Sequence, residues 1–294
     1  MVVARFSRMA VAFALLFSLL GSLVVGQAGF GVSAARAADG AATLDYPLAI
    51  ASAMEGPIYL ADRNLPGTWK LEGEKLSVHF QGSKKFRTPL NAVRCLALDA
   101  QGKLLAGDSS TRDVYRFDDQ NQPVPLTKGA IGIPMSIAVT KNGDLIVADL
   151  EVHVIWKVPA AGGAPTKLAS VPAPRGVAVD AEDRVWVVSH GKDQVVRLTA
   201  DGKTEAVVTG QPFQFPHQIV VNDKGIAFVS DGYAKAIWKL EPGAEPKKFA
   251  EGEPLVNPVG LALRGGSLLV VDPRAKAVFQ ADDAGKLTPL PAKP

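Results

Sequence analysis

Three basic side chains occupy the same place in a pattern that recurs along this sequence: Arg94, Arg175 and His217. Each one follows the residue that opens a short apolar run. The planar guanidinium group of arginine binds carboxylate, sulfate or phosphate oxygens through paired N–H donors. The imidazole of histidine can ligate a metal, exchange a proton or donate a hydrogen bond. If the fold brings these groups together, the chemistry they predict is recognition of an anionic group.

The pattern that carries these residues is a repeat of about 42 residues. One copy, IPMSIAVTKNGDLIVADLEVHVIWKV, has an apolar run, a Lys-Asn-Gly-Asp turn, a second run that ends in aspartate, a loop and a third run. Runs of β-branched and aromatic residues separated by Gly, Asn and Asp are typical of strands joined by turns. The six copies open at Pro47, Val93, Pro134, Pro174, Pro216 and Pro258.

A fourth, weaker run follows in each copy, for example over residues 76–80 and 204–208. Four antiparallel strands at this period predict propeller blades, because one small sheet can bury its faces only against its neighbours. We predict an all-β fold and a single six-bladed β-propeller over residues 38–294, with blades at approximately 44–86, 87–131, 132–171, 172–213, 214–255 and 256–294. Ring closure has two alternatives: residues 41–46 add an outer strand, or the blades simply pack.

The first residues predict an export signal. Arg5 and Arg8 precede an uncharged apolar run over residues 9–25, and small residues lead to Ala35-Arg36-Ala37, the order of a cleavable signal peptide. We predict a signal peptide over residues 1–37 and a secreted or periplasmic mature chain with no stable membrane insertion. A retained N-terminal anchor is the alternative.

Without this leader the formal net charge falls from +3 to 0, because the leader contains three arginines and no acidic residue. The charge therefore gives no reason to expect a nucleic acid partner. Cys95 is the only cysteine, so no intramolecular disulfide is possible. It lies in an apolar run, where we expect a buried thiol.

The pattern P-x-x-I-A-V-x-x-x-G-x-L-x-V-A-D, followed by I-W-K-V, resembles the NHL repeat. Over about residues 44–290 the chain is similar to six-bladed propellers of the NHL, SMP-30/gluconolactonase and TolB-like group. That group contains lactonases, lyases, hydrolases and binding modules, so the resemblance implies a fold and leaves the activity open. In its amidating lyases zinc-binding histidines follow the opening proline, and in its SMP-30 lactonases metal-binding Asn and Asp occupy the equivalent position.

The equivalent residue enters the innermost strand of each blade, so we expect one copy per blade to converge on the mouth of the central channel. Pro216-His217-Gln218-Ile219 matches the lyase-type motif, and Pro174-Arg175-Gly176 matches the lactonase motif with arginine in place of the acid. One histidine beside two arginines is a poor metal cage, because a guanidinium cannot ligate. The six equivalent positions are Leu48, Arg94, Met135, Arg175, His217 and Val259.

Met54-Glu55-Gly56-Pro57 also resembles a lactonase motif, E-G-P, but it falls between the first and second runs of its repeat. That position predicts a hairpin turn, away from the entrance of the inner strand. We therefore predict no cofactor, with a divalent metal at the channel mouth as the alternative.

An aspartate ends the second run in five of the six copies, and we expect it to accept hydrogen bonds from loop backbone N–H groups. Two interpretations of Arg94 and Arg175 remain open: they pair with these aspartates, or they bind an anionic ligand. The fourth copy has Ser189-His190 instead, which makes His190 a further candidate, with a solvated loop residue as the alternative. The aspartates are Asp62, Asp108, Asp149, Asp231 and Asp272.

The remaining histidines and the aromatic residues carry less functional weight. His153 lies in another loop of the same kind and has the same two interpretations, whereas His79 falls on a predicted outer strand. One aromatic position recurs in the third run, and we expect it to pack between blades. Its members are Trp69, Tyr115, Trp156, Trp238 and Phe279.

Loop charges predict an acidic face and a basic face. The loops that join strand 1 to strand 2 and strand 3 to strand 4 of each blade open on one side and are rich in acidic residues. The remaining loops open on the opposite side and are rich in basic residues. The alternative is an ordinary solvated surface.

We predict an exported binding module for an anionic small molecule or protein segment, with Arg94, Arg175, His217 and His190 as ligand-binding residues and no catalytic residue. The alternatives are a metal-dependent enzyme of the lactonase or lyase type and a scaffold that binds a partner on its rim.

Overall fold

The computed structural model describes residues 43–293. The predicted signal peptide over residues 1–37 lies outside this range. Within it the chain forms six four-stranded antiparallel sheets arranged as a propeller and contains no α-helix. The predicted all-β, six-bladed fold is confirmed.

Each blade takes four strands that are consecutive in the sequence and pair in that order. Blade 1 has β1 (Pro47–Ser52), β2 (Ile58–Asp62), β3 (Leu65–Glu72) and β4 (Lys75–Gln81). Blade 2 has β5 (Val93–Leu98), β6 (Leu104–Asp108), β7 (Asp113–Phe117) and β8 (Pro123–Pro125). Blade 3 has β9 (Pro134–Val139), β10 (Leu145–Asp149), β11 (Val154–Val158) and β12 (Thr166–Ser170).

The other three blades repeat this arrangement. Blade 4 has β13 (Pro174–Val179), β14 (Val185–Ser189), β15 (Val195–Leu198) and β16 (Thr204–Val208). Blade 5 has β17 (Pro216–Val221), β18 (Ala227–Asp231), β19 (Ala236–Leu240) and β20 (Lys247–Glu251). Blade 6 has β21 (Gly260–Arg264), β22 (Ser267–Asp272), β23 (Ala277–Ala281) and β24 (Leu287–Pro289).

The innermost strands form a closed ring, because β1 contacts β5 on one side and β21 on the other, and each of the other inner strands contacts the next. The second strand of every blade is almost fully buried, since both of its faces meet neighbouring blades. The ring geometry brings equivalent residues of different blades to a common axis.

Apolar side chains fill the spaces between successive blades in six clusters. One cluster, for example, joins Ile50 and Leu60 of blade 1 to Leu269 and Val271 of blade 6. The recurring aromatic residues lie in or against these clusters, as predicted, so they stabilise the stacking of blades. They are Trp69, Tyr115, Trp156, Trp238 and Phe279.

Within the described residues no strand is added from the N-terminal side, since residues 43–46 are not in a strand. The C-terminal segment instead crosses to blade 1. Lys293 pairs with Lys75 in an isolated parallel bridge, and its carbonyl accepts a hydrogen bond of 2.6 Å from the N–H of Leu76. Of the two predicted modes of closure, packing of blades is confirmed for the described residues, with this bridge as an addition.

The repeated aspartates are buried and bind backbone, as expected. Asp149 is representative: its carboxylate accepts hydrogen bonds from the N–H groups of Gly132, Ile133 and Glu151 at 2.8–3.0 Å, and from Trp156 Nε1 at 3.0 Å. These bonds tie the start of an inner strand to the loop after the second strand. Hydrogen bonds to a charged acceptor stabilise by about 1.5–3 kcal/mol each, so these aspartates anchor the backbone around the channel mouth.

The thiol of Cys95 is buried, as predicted, and burial raises its pKa to about 12. It points at the carbonyl oxygen of Pro134, 3.3 Å away, and stays protonated at neutral pH. Over residues 43–293 there is also no helix with the length and apolar character needed to span a bilayer.

Candidate functional site

A cavity of about 180 Å³ lies where the inner strands begin, and residues of all six blades line it. Its wall includes each of the six positions that the repeat predicted to converge. The structure thus brings Arg94, Arg175 and His217 to one place, although ligand binding by them stays a prediction. The six positions are Leu48, Arg94, Met135, Arg175, His217 and Val259.

A β-bulge points these side chains toward the axis. In blade 4, Pro174 pairs with Ser189 and Gly176 with Val188, so Arg175 has no partner on the neighbouring strand. The same extra residue occurs near the start of the inner strand in blades 1, 2, 3 and 5. A bulge redirects a side chain and ends regular pairing. The sequence repeat located these positions but gave no sign of the bulge.

Arg175 is half-buried, and its guanidinium Cζ lies 5.4 Å from the centroid of the Phe215 ring. Its Nε atom is buried and has no hydrogen-bond acceptor among the described residues. Burial lowers the pKa of this guanidinium, but arginine still stays protonated at neutral pH. A partly desolvated cation with an unsatisfied donor is costly unless an anion completes it, so Arg175 is the strongest candidate for ligand contact.

Arg94 is more exposed than Arg175. Its Nε atom donates a hydrogen bond of 3.1 Å to Ser109 Oγ, which in turn donates to the carbonyl of Ala92. The terminal nitrogens of the guanidinium have no carboxylate partner in the described range. Arg94 therefore presents free donors to the same cavity as Arg175.

The interpretation in which the repeated aspartates neutralise the two arginines is wrong. Among residues 43–293, neither Arg94 nor Arg175 forms an ion pair with any carboxylate. The physical reason is that loop groups already bind the carboxylate oxygens. At Asp108, Oδ1 accepts hydrogen bonds from the N–H groups of Ala92 and Ser110, and Oδ2 accepts one from the hydroxyl of Thr111. The charge of both guanidinium groups is left for another partner.

His217 lies at the cavity wall, with its ring 4.9 Å from that of Phe215 in an edge-to-face arrangement. Burial, together with the positive charge of Arg175 and the neighbouring His190, lowers the pKa of His217 to about 4, while Asp231 opposes the shift. At neutral pH the ring is therefore uncharged. A neutral imidazole offers one N–H donor and one acceptor nitrogen, so His217 contributes a hydrogen bond and no charge.

His190 lies beside the cavity and is not part of its wall. Its Nε2 atom is 2.8 Å from the carbonyl oxygen of Pro216, and because a carbonyl only accepts, Nε2 carries the proton. Its ring packs on Phe215 at 4.5 Å between centroids. Burial lowers the pKa of His190, with the Pro216 carbonyl acting in the opposite direction. The side chain is half-buried, so the alternative of a solvated loop residue is wrong.

Phe215 and Tyr233 are site residues that the sequence analysis missed. Their rings stack at 4.5 Å with 21° between planes, and Tyr233 is 62% exposed. Phe215 also contacts His190, His217 and Arg175, so it connects the basic side chains of blades 4 and 5. An aromatic residue directly before the opening proline occurs only in this copy of the repeat and in blade 1, which is the signal that could have found it.

The other histidines lie away from the mouth. His153 is exposed in a loop. His79 is on β4, where Nδ1 is 3.0 Å from Thr68 Oγ1 and the ring packs between Tyr59 and Phe117. Burial, helped by Lys70, lowers the pKa of His79 to about 4. This is a packed structural histidine, consistent with the absence of a predicted function.

The segment 54–57 connects β1 to β2, which confirms the predicted turn.

The face that holds the mouth is only partly basic. Two of its cations are neutralised, Arg112 by Glu151 at 2.7 Å and Lys276 by Asp45 at 2.6 Å.

The residues at the mouth do not fit a divalent metal. No group of three His, Cys, Asp or Glu side chains in the described range could hold one. The possible metal ligands on the cavity wall are the imidazole of His217, the protonated thiol of Cys95, the thioether of Met135 and the amide of Gln218, whose oxygen is already hydrogen-bonded. Two guanidinium groups beside them repel a cation. The donor set favours an anion instead.

No protein-family model matches the chain, and no curated protein matches its sequence. Solved structures do match. Virginiamycin B lyase from Staphylococcus aureus has 14% identity and a TM-score of 0.65, covering 86% of this chain and 87% of its own. The gluconolactonase XC5397 from Xanthomonas campestris has 13% identity and a TM-score of 0.66, with 81% and 86% covered.

A third match is the nidogen/laminin complex, with 16% identity, a TM-score of 0.65 and 76% and 89% of the two chains covered. Two of these three relatives are enzymes, and the third is a complex between proteins. At such identities the likeness concerns the fold. The chain therefore has the NHL-type six-bladed β-propeller fold that virginiamycin B lyase, gluconolactonase and nidogen share.

Proposed function

We propose that this chain is a binding propeller that holds an anionic group of a small molecule or protein segment at the channel mouth. The observation that carries the proposal is Arg175, a half-buried guanidinium with an unsatisfied Nε and no carboxylate partner in the described range. An anion bound at the terminal N–H groups of this guanidinium would supply the missing charge through charge-assisted hydrogen bonds.

The electrostatics of the mouth support an anion. Two cations about 8 Å apart repel by about 2 kcal/mol at an effective dielectric near 20. Arg94 and Arg175 share one cavity wall, so an anion between them removes this repulsion and adds charge-assisted hydrogen bonds. His217 is neutral here and adds a hydrogen bond without raising the charge.

The size of the cavity limits what enters. At about 180 Å³ it is smaller than the roughly 300–1,000 Å³ of sites that enclose drug-sized ligands. It accommodates a carboxylate, sulfate or phosphate group, while the remainder of the ligand lies outside. The exposed ring of Tyr233, stacked on Phe215 beside the mouth, offers an apolar surface for that remainder.

The test is anion binding by wild type and Arg175→Gln, measured by calorimetry and by thermal shift with carboxylates, phosphate and sulfate. We expect Arg175→Gln to weaken binding at least tenfold, which is about 1.4 kcal/mol. The control is Arg274→Gln, an exposed arginine that does not line the cavity. Equal binding by wild type and Arg175→Gln would overturn the proposal, as would equal losses in both variants.

An enzyme of the lactonase or lyase type is the second candidate. It is favoured by the fold shared with a lyase and a gluconolactonase, and an inactive His-to-Ala variant of that lyase was crystallised with quinupristin. Here a neutral His217 at the cavity wall could act as a base. Turnover of lactone or cyclic peptide substrates that His217→Gln abolishes would support this candidate, and stoichiometric Zn or Ca in purified protein would favour its metal-dependent form.

We also propose export to the periplasm or exterior, on the basis of the leader over residues 1–37. The sequence there has the order of basic, apolar and small residues that a signal peptidase recognises. N-terminal sequencing of protein from culture fractions tests it. An intact N-terminus in the cytosolic fraction would contradict it.

A further inference from the structure

A second cavity, of about 210 Å³, lies between blades 1 and 2 next to the channel mouth. It shares Leu48 and Arg94 with the first cavity, so Arg94 forms part of both walls. The rest of its lining comes from the loop after β2 and the segment that leads into β5. The side chains that give this cleft its polarity are Asp62, Arg63 and Asn91.

The free charge in this cleft is positive. The carboxylate of Asp62 is 4% exposed and accepts hydrogen bonds from the N–H groups of Asp45, Tyr46 and Asn64. Arg63 is exposed, lies 5.7 Å from the centroid of the Tyr46 ring, and forms no ion pair with a described residue. The cation–π contact holds the guanidinium in place without using its N–H donors.

Arg94 connects the two cavities. Its Nε is engaged by Ser109, which leaves the terminal N–H groups for ligands on either side. Arg63, Arg94 and Arg175 each lack a carboxylate partner in the described range, and these three guanidinium groups form a row from the cleft between blades 1 and 2 to the channel mouth. A row of this kind is longer than one carboxylate or phosphate needs.

We propose that the cleft is a second anionic subsite, and that the ligand carries two anionic groups, one held by Arg175 and Arg94 and the other by Arg63 and Arg94. This inference rests on the proposed function, since it assumes that the mouth binds the first group. Once that group is bound, the second binds at a high effective concentration. A dianion of suitable length therefore binds more tightly than a monoanion.

The experiment is a calorimetric series of linear dicarboxylates from malonate to suberate, each compared with a monocarboxylate of equal chain length. For wild type we expect one length at which the dicarboxylate binds about fivefold or more tightly than its monocarboxylate. Arg63→Gln should abolish this advantage and leave monocarboxylate affinity unchanged. Arg274→Gln, which lines neither cavity, should preserve the advantage.

The outcomes separate the two proposals. If neither dicarboxylates nor peptides that end in aspartate bind better than their counterparts with one carboxylate, while Arg175→Gln still weakens binding, the second subsite is wrong and the proposed function stands. If Arg175→Gln changes neither ligand class, the proposed function itself fails. If the advantage survives in Arg63→Gln, the second group lies elsewhere and this subsite is wrong.

A peptide arm distinguishes the source of the dianion. Short peptides that end in aspartate present two carboxylates, and their C-terminal amides present one. If dicarboxylates bind more tightly than monocarboxylates and this advantage depends on Arg63, the natural ligand is a small molecule. An Arg63-dependent preference for the free peptide over its amide, with no such advantage among dicarboxylates, assigns a protein segment. If neither class shows dependence on Arg63, the inference is overturned.

Discussion

The guanidinium of Arg175 lies over the ring of Phe215, with Cζ 5.4 Å from the ring centroid. Arg175 is the second residue of the inner strand of blade 4, and Phe215 directly precedes the inner strand of blade 5. The contact thus fixes a cation across the boundary between two blades, and Tyr233 stacks on the same ring. This arrangement holds an unpaired arginine at the mouth before any ligand arrives.

Replacing Phe215 with leucine should therefore affect both stability and binding. The variant loses the cation–π contact and the aromatic contacts of Phe215, and we expect about 2 kcal/mol of destabilisation and about fivefold weaker anion binding. Denaturant unfolding and calorimetry measure the two effects. Phe86→Leu is the control, because the guanidinium Cζ of Arg87 lies 5.5 Å from the centroid of the Phe86 ring, but Phe86 is 71% exposed. Similar losses in both variants would show that the position of Phe215 is unimportant.

The aspartate that ends a second strand should be one of the most sensitive polar positions. The carboxylate of Asp149 accepts hydrogen bonds from N–H donors. In Asp149→Asn an amide NH₂ group, which cannot accept, replaces one carboxylate oxygen, and we expect the folded state to lose about 2–4 kcal/mol of stability. Asp223→Asn, at an exposed position, should change the unfolding free energy by less than about 0.5 kcal/mol. Equal unfolding midpoints in the two variants would contradict the anchoring role.

The fold and the convergence of the six strand-opening residues could be predicted because both depend on repetition. Each copy carries its own strands and turns, and ring symmetry then makes residues such as Arg94 and Arg175 neighbours despite their separation in sequence. The β-bulge that exposes Arg175 could not be predicted, since strand register depends on pairing across β13 and β14.

The chemistry of the mouth was harder to predict than its location. The sequence left two partners for the arginines open because it contains a nearby aspartate in most repeats. Which partner applies depends on whether backbone N–H groups have already engaged those carboxylates, as they do at Asp108. Phe215 and Tyr233 meet through two separate loops of blade 5, and neither belongs to the repeated pattern.

The pKa of His217 should be near 4 in the free protein. Because the unfolded chain has a histidine pKa of about 6.5, it binds more protons than the folded chain between these values, so stability rises with pH through this window and is lost on acidification. The contribution is at most about 3 kcal/mol. His217→Gln should flatten the dependence of unfolding free energy on pH between about 4 and 6.5.

NMR titration of the imidazole gives the direct measurement. A bound anion favours the protonated ring, so saturating carboxylate should raise the pKa of His217. His79→Gln is the matched control, because His79 also has a pKa of about 4 but lies on β4, away from the mouth. That variant should flatten the pH dependence without changing anion binding. A His217 pKa near 6.5 in the free protein would refute the burial argument.

Gly232 should be required for the geometry of the mouth on the side of blade 5. A Cβ atom at this position would lie 2.6 Å from Asn257 Oδ1 and 3.1 Å from His217 Nε2, closer than ordinary van der Waals contact. Gly232→Ala must therefore displace the Asn257 amide and crowd the His217 ring. We expect about 1–2 kcal/mol of destabilisation and several-fold weaker anion binding, measured by unfolding and calorimetry.

The double variant Gly232→Ala with Asn257→Ala distinguishes crowding from a general defect. Removal of the Asn257 amide makes room for the new methyl group, so the double variant should recover stability relative to the sum of the single variants, a coupling that a mutant cycle measures. Additive losses would show that the two side chains do not compete for the space beside His217. Recovery of stability together with anion affinity would place the crowding at the binding site itself.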